Sequence, residues 1–284
     1  MSASPAPRAE LDGLVRLYPA GDGPLRGHGL VWVHGGAFTG GDLDMPEGDA
    51  VARAFAMRGA TVASVDYRLV GADGEDRFPA GSDDVLRAWS WMRSEAPRLG
   101  VDTASLVLGG ASAGGNLVAG AVLRMLGHPP AASAALPAGV FLAYPTLLAE
   151  QPPPAADLRA ALDAEPTADL FPPAAVREMY ETYLGGPVDD APLAAIPGLA
   201  RPVDLIGFPP TIMVDDDVDE LRVSGELFAA TLSSAGADVD VSTEPGTTHG
   251  HLNRPEAGTA FTHTIDRVSA WMTRGPSHRP TEHS

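Results

Sequence analysis

Six short apolar runs recur along the chain, separated by stretches of helical period and closed by glycine, proline or acidic residues. The runs centre on Val31 and on residues 61–66, 105–108, 140–144, 211–214 and 239–243, and each reads as a strand. Residues 46–58, 83–94, 114–126, 221–234 and 259–273 carry apolar side chains at helical spacing and predict helices. Strands alternating with helices predict an α/β fold built on one doubly wound, mostly parallel sheet. Trp89, Met92, Met125, Phe228 and Trp271 fall within the helices and read as the stripe that faces the core. With 284 residues and 44% apolar content, the chain is expected to fold as a single domain over residues 1–284.

The rhythm breaks once. Residues 146–208 form an insertion crowded with prolines, in which only residues 174–184 have a convincing helical pattern. Phe171, Met179, Tyr180 and Tyr183 lie in or beside that helix, and either line a pocket or dock the helix on the sheet.

Chemistry enters where strands end. The segment 105–115, SLVLGGASAGG, runs an apolar strand into Gly110-Ala111-Ser112-Ala113-Gly114, a GxSxG turn. Such a turn is so tight that flanking side chains clash, and it presents the serine oxygen outward as a nucleophile. Upstream, the strand around Val31 empties into His34-Gly35-Gly36-Ala37-Phe38. Glycines there let backbone N–H groups converge, so Gly35 and Gly36, with Ala113 after the serine, are the expected oxyanion hole. Downstream, the strand 211–214 ends in an acidic cluster containing Asp215, Asp216, Asp217, Asp219 and Glu220. The strand 239–243 then leads into a loop with His249 and His251, so a carboxylate and an imidazole are available at the same sheet edge as Ser112.

These motifs resemble the hormone-sensitive-lipase type of α/β-hydrolase, the family IV bacterial esterases. The likeness runs from about residue 28 to 272. It includes His34-Gly35-Gly36-Ala37-Phe38, Asp66-Tyr67-Arg68-Leu69, Phe78-Pro79-Ala80 with Asp84, Gly110 to Asn116, Tyr144-Pro145, Tyr183-Leu184-Gly185, Gly207 to Thr211, Asp219-x-Leu221-Arg222 and His249-Gly250. The resemblance implies an α/β-hydrolase fold with a small helical cap, formed by the N-terminal segment (about residues 1–25) and the insertion 146–208. It implies a catalytic triad of Ser112, Asp219 and His249, with Phe38, Phe171, Met179, Tyr180, Tyr183 and His251 as candidate pocket residues. The implied reaction is hydrolysis of short-chain or compact carboxylic esters through an acyl-enzyme, without cofactor or metal. An amidase, arylformamidase or lactonase would use the same triad. A non-catalytic binding protein on this scaffold, like the plant gibberellin receptor, lacks the catalytic histidine that this chain has at His249.

The sequence also departs from the family. Ala37 replaces a third glycine, Ala111 an aspartate, and His251 a phenylalanine, while residues 70–77 form an acidic, glycine-containing loop of their own. His251 and Asp217 are therefore the rivals to His249 and Asp219.

Composition narrows the partners. Net charge is −18, and every basic residue is an arginine, so nucleic acid is repelled rather than recruited. There are no cysteines, no run long enough to span a membrane and no signal-peptide pattern in MSASPAPRAE, which makes a cytoplasmic protein with no membrane partner the expectation. A small-molecule ester is the expected partner, and a homodimer is compatible with the chain. Both ends, to about residue 10 and from 275 onward, read as loose tails, with His278 and His283 scattered in the second.

Overall fold

The computed structural model describes residues 6–127, 135–168 and 170–275. Its strands are β1 (Arg8–Glu10), β2 (Val15–Tyr18), β3 (Gly29–Val33), β4 (Thr61–Val65), β5 (Leu106–Ala111), β6 (Gly139–Ala143), β7 (Thr211–Val218) and β8 (Val239–Thr248). They form one sheet in the order β1-β2-β4-β3-β5-β6-β7-β8. From β4 to β8 all neighbours are parallel, and only the β1–β2 and β2–β4 pairs are antiparallel. This is the α/β-hydrolase architecture that the sequence predicts.

Helices α1 (Pro46–Met57), α2 (Ala80–Leu99), α3 (Ala113–Leu126), α4 (Ala156–Ala164), α5 (Pro173–Leu184), α6 (Arg222–Ser234) and α7 (Ala260–Arg274) complete the fold. Every residue of β3, β4, β5 and β6 is buried, because helices cover both faces of the sheet. On one face Val31, Val33, Leu106 and Leu108 pack with Trp89, Met92, Met125 and Phe228 from α2, α3 and α6. On the other, Leu30, Trp32, Val107 and Phe141 meet Phe55 of α1 and Trp271 of α7. The five aromatic and methionine side chains assigned to the core stripe are all buried.

The N-terminal segment departs from expectation. Rather than reaching over the site as cap, residues 8–10 and 15–18 extend the sheet, with Val15 to Tyr18 in register against Val65 to Val62. Residues 8–10 are thus a strand where a loose tail is expected; residues 1–5, the rest of the second tail and its His278 and His283 lie outside the described residues. The insertion holds a second helix, α4, whose Leu158 and Leu162 pack with Ala168 and Val223 in a small cluster of their own. Its α5 is held against the sheet edge by the Tyr180 hydroxyl, which donates to Thr146 O at 2.9 Å and accepts from Asn116 Nδ2 at 2.8 Å. Among the described residues no helix is long and apolar enough to cross a membrane.

Candidate active site

The strand–helix junction fixes Ser112. Its backbone stands at φ 51° and ψ −119°, between the last residue of β5 and the first of α3. A non-glycine residue at positive φ is strained and persists only where its surroundings enforce it. Here they do: a Cβ at Gly110 would stand 2.5 Å from Gly114 O, and one at Gly114 only 2.2 Å from Val33 O. Both glycines are therefore obligatory. Since β3 runs parallel to β5 with Val33 opposite Gly110, the loop after β3 emerges beside Ser112.

The acid and the imidazole arrive from β7 and β8. The pairing of these strands shifts register between Asp216 and Val218, a bulge that re-aims the chain ahead of Asp219. Asp219 is fully buried; its Oδ1 accepts from Leu221 N at 3.0 Å and its Oδ2 lies 2.7 Å from His249 Nδ1. His249 Nε2 in turn stands 3.0 Å from Ser112 Oγ. With Nδ1–H donating to the carboxylate, Nε2 is left as the acceptor for the serine proton. Burial pulls the His249 pKa down, but the Asp219 carboxylate, aided by Asp216 and Glu47, outweighs it and holds the imidazole above its ordinary range. The rival Asp217 turns outward instead, accepting from Gly246 N at 2.9 Å beside Arg222.

The loop after β3 differs from the expected oxyanion hole at Gly35. Gly35 N does not face the cavity; it donates to Glu47 Oε1 at 2.5 Å. A Cβ on Gly35 would stand 3.0 Å from Ser112 Cβ, so glycine is kept there for close approach rather than for its N–H. Gly36 and Ala37, both at positive φ, line the cavity next to Ser112 and His249. Among the described residues the N–H groups of Gly36, Ala37 and Ala113 have no partner.

Glu47 is the residue that sequence reasoning missed. Buried in the first turn of α1, its carboxylate also accepts from Tyr144 OH at 2.6 Å and Asn253 Nδ2 at 3.0 Å. One side chain thereby ties the loop after β3 to the segment after β6 and to the loop that carries His249. Its signal in the sequence is a lone acid on the apolar face of helix 46–57, four residues before buried Val51. Tyr67 supports the same loop by stacking on His34, ring centroids 4.6 Å apart, while Arg68 pairs with Asp84 at 2.8 Å.

The cavity at Ser112 measures about 260 Å³, and of the six candidate pocket residues only Phe171 and Met179 line it. Phe38 is buried and stacks on Tyr183 with centroids 3.9 Å apart. Tyr180 and Tyr183 point into the core from α5, so these three rings dock the helix. His251 is likewise no wall residue: its Nδ1 lies 2.6 Å from Asp216 Oδ1 and its Nε2 2.8 Å from Thr264 Oγ1, all buried. Met45, Glu47, Gly250, Asn253 and Arg254 complete the lining.

Carboxylates at this edge serve different ends. Asp216 Oδ2 accepts from Gly250 N at 2.8 Å, so the Asp216 and Asp219 oxygens that gather near His249 already hold the backbone and imidazoles of their own loops. Burial, followed by the neighbouring Asp219, pushes the Asp215 carboxyl well above the usual carboxylate range, and neither of its oxygens has a partner among the described residues.

Comparisons with known proteins place the chain in a family. A family model described as alpha/beta hydrolase fold matches residues 30–253. Carboxylesterase NlhH of Mycobacterium tuberculosis is 35% identical over 237 residues, covering 79% of this chain and 66% of that protein, so the matched region spans just under two thirds of the relative. Ethyl acetate hydrolase of Pseudomonas putida is 30% identical over 240 residues, covering 83% and 70%. Among solved structures, a bacterial heroin esterase superposes with a TM-score of 0.74 at 28% identity, covering 96% of this chain and 84% of that one. The chain belongs to the α/β-hydrolase family.

Proposed function

We propose that the protein is a serine hydrolase that cleaves carboxylic esters through an acyl-enzyme intermediate. The observation that carries the reading is the unbroken chain from Asp219 through His249 to Ser112, 2.7 Å and 3.0 Å, opening onto a cavity lined by Gly36 and Ala37. In the first step Ser112 Oγ attacks the ester carbonyl while His249 Nε2 takes its proton. Asp219 keeps Nδ1 protonated and stabilises the imidazolium. The carbonyl oxygen, now negative, is received by the N–H groups of Gly36, Ala37 and Ala113, which give up no other partner to bind it. His249 returns the proton to the departing alkoxide, and a water then repeats the cycle on the acyl-enzyme.

The insertion 146–208 acts as the cap in this proposal, since Phe171 and Met179 supply the apolar wall over Ser112. A cavity of about 260 Å³ suits compact acyl groups, as does the likeness to an ethyl acetate hydrolase. Action in the cytoplasm belongs to the same proposal. The test is turnover of p-nitrophenyl esters by wild-type protein and Ser112→Ala: activity on acetate or butyrate that the substitution abolishes supports the reading. Near-wild-type turnover by Ser112→Ala would refute the nucleophile, and rates that climb steadily from acetate to palmitate would refute the preference for compact substrates.

A further inference from the structure

We propose that Arg254 forms an anion subsite in the catalytic cavity, selecting esters whose second arm ends in a carboxylate; this rests on the ester-hydrolase reading above. Arg254 is the only guanidinium among the residues that line the cavity, and no lysine exists in the chain. Its head group is fixed by the loop it follows: Nη1 donates to His249 O at 3.3 Å, and Nη2 donates to Thr248 O at 2.6 Å and Thr248 Oγ1 at 3.1 Å. A guanidinium has five N–H donors, so at least two are left for a ligand.

Among the described residues no carboxylate uses them. Among the described residues Arg254 has no ion-pair partner, whereas Arg68, Arg177 and Arg222 each have two or more. With 37 acidic and 19 basic residues, carboxylates are abundant, and Arg254 is the guanidinium on the cavity wall that none of the described ones pairs with. The nearest rival for it inside the cavity is Glu47, yet both oxygens of Glu47 already accept from Gly35, Tyr144 and Asn253. Asn253 is engaged as well, its Oδ1 accepting from Glu47 N at 3.2 Å. Arg254 is thus the side chain in this wall with donors to spare.

The cavity is two-faced as a result. Met45, Phe171 and Met179 offer an apolar surface to an uncharged arm, and Arg254 offers charge-assisted hydrogen bonds to an anionic one. The net charge of −18 repels anions at long range, and salt screens that repulsion beyond about 8 Å, so a carboxylate-bearing substrate needs a cation at the site itself.

The proposal is tested by comparing monoethyl succinate with ethyl levulinate, a neutral ester of the same chain length, in wild-type protein, Arg254→Gln and Arg254→Lys, following acid release in a pH-stat. The ratio of kcat/KM for the anionic over the neutral ester is expected to fall about tenfold or more in Arg254→Gln, through KM for monoethyl succinate, with Arg254→Lys keeping part of it. Taking the ratio removes any effect that Arg254 exerts on both esters through the His249 loop. A ratio within about twofold of wild type in Arg254→Gln overturns the subsite and makes the residue a strut for residues 248–254. Calorimetric titration with succinate gives a second readout independent of turnover: binding by wild-type protein that weakens by a similar factor in Arg254→Gln supports the subsite, and equal or no binding overturns it. Wild-type protein that binds succinate through Arg254 but cleaves neither ester would instead contradict the hydrolase reading.

Discussion

Two Asp–His pairs stand side by side at the carboxyl edge of the sheet, and their fates differ. Asp219 meets His249 at 2.7 Å and Asp216 meets His251 at 2.6 Å, both acids coming from the end of β7 and both imidazoles from the loop after β8. Each imidazole also faces a hydroxyl: Ser112 Oγ at 3.0 Å for His249, Thr264 Oγ1 at 2.8 Å for His251. The difference lies in those hydroxyls. Ser112 sits at a strained backbone position on a cavity wall, whereas Thr264 is fully buried within α7. In the proposed reading a carboxylate partner alone does not make an imidazole a base; access to a strained hydroxyl on a cavity sets His249 apart. The second pair holds the first in place, because Asp216 also accepts from Gly250 N, between the two histidines.

Substitutions that separate the two pairs should differ most. His249→Ala is expected to lower kcat/KM by about 10⁴-fold or more, as losses of triad members do. Thr264→Val, which removes the hydroxyl of the second pair, should change it by less than about tenfold, and equal losses would erase the distinction. A smaller effect is expected one step away, at Glu47. Glu47→Gln keeps the shape but loses the charge and one set of acceptor contacts to Gly35, Tyr144 and Asn253, and kcat/KM should fall by about ten- to a hundredfold.

The pH profile sharpens the same contrast. Protonated His249 cannot take the Ser112 proton, so kcat/KM should rise with pH through the His249 pKa, at a midpoint above the ordinary imidazole value because the nearby carboxylates outweigh burial. Glu47→Gln removes one of those charges and should move this limb to lower pH. A limb at or below the ordinary imidazole value in wild-type protein would mean that Asp219 does not govern the base. The mildest expected effect belongs to His251→Phe, which leaves the Asp216 side chain short of its ring partner and should cost about 2 kcal/mol of stability. Thermal unfolding checks this, and loss of activity as deep as that of His249→Ala would assign His251 a direct role.

The central sheet and the loops that bring Asp219, His249 and Ser112 together were legible because both rest on local rules. Apolar runs bounded by turns mark β3 to β8, and the GxSxG spacing reflects clashes within a few residues of Ser112. Elements that depend on distant partners were not legible in the same way. Strands β1 and β2 have three and four residues, too short for a periodic signal, and exist by pairing, β2 with β4 and β1 with β2. Helix α4 follows a run of prolines and has only a two-leucine face. Which N–H groups after β3 stay free depends on Glu47, twelve residues away, whose carboxylate occupies the Gly35 N–H. Phe38, Tyr180 and Tyr183 have the composition of pocket residues, and only their ring contacts with one another and the hydrogen bonds of Tyr180 place them in the core.

Labelling with a fluorophosphonate, followed by peptide mapping of wild-type protein, His249→Ala and His251→Phe, tests the division between the two pairs most directly. A single adduct on Ser112 is expected in wild-type protein, retained in His251→Phe and lost in His249→Ala. An adduct on another residue, or one that survives His249→Ala and disappears in His251→Phe, would contradict it.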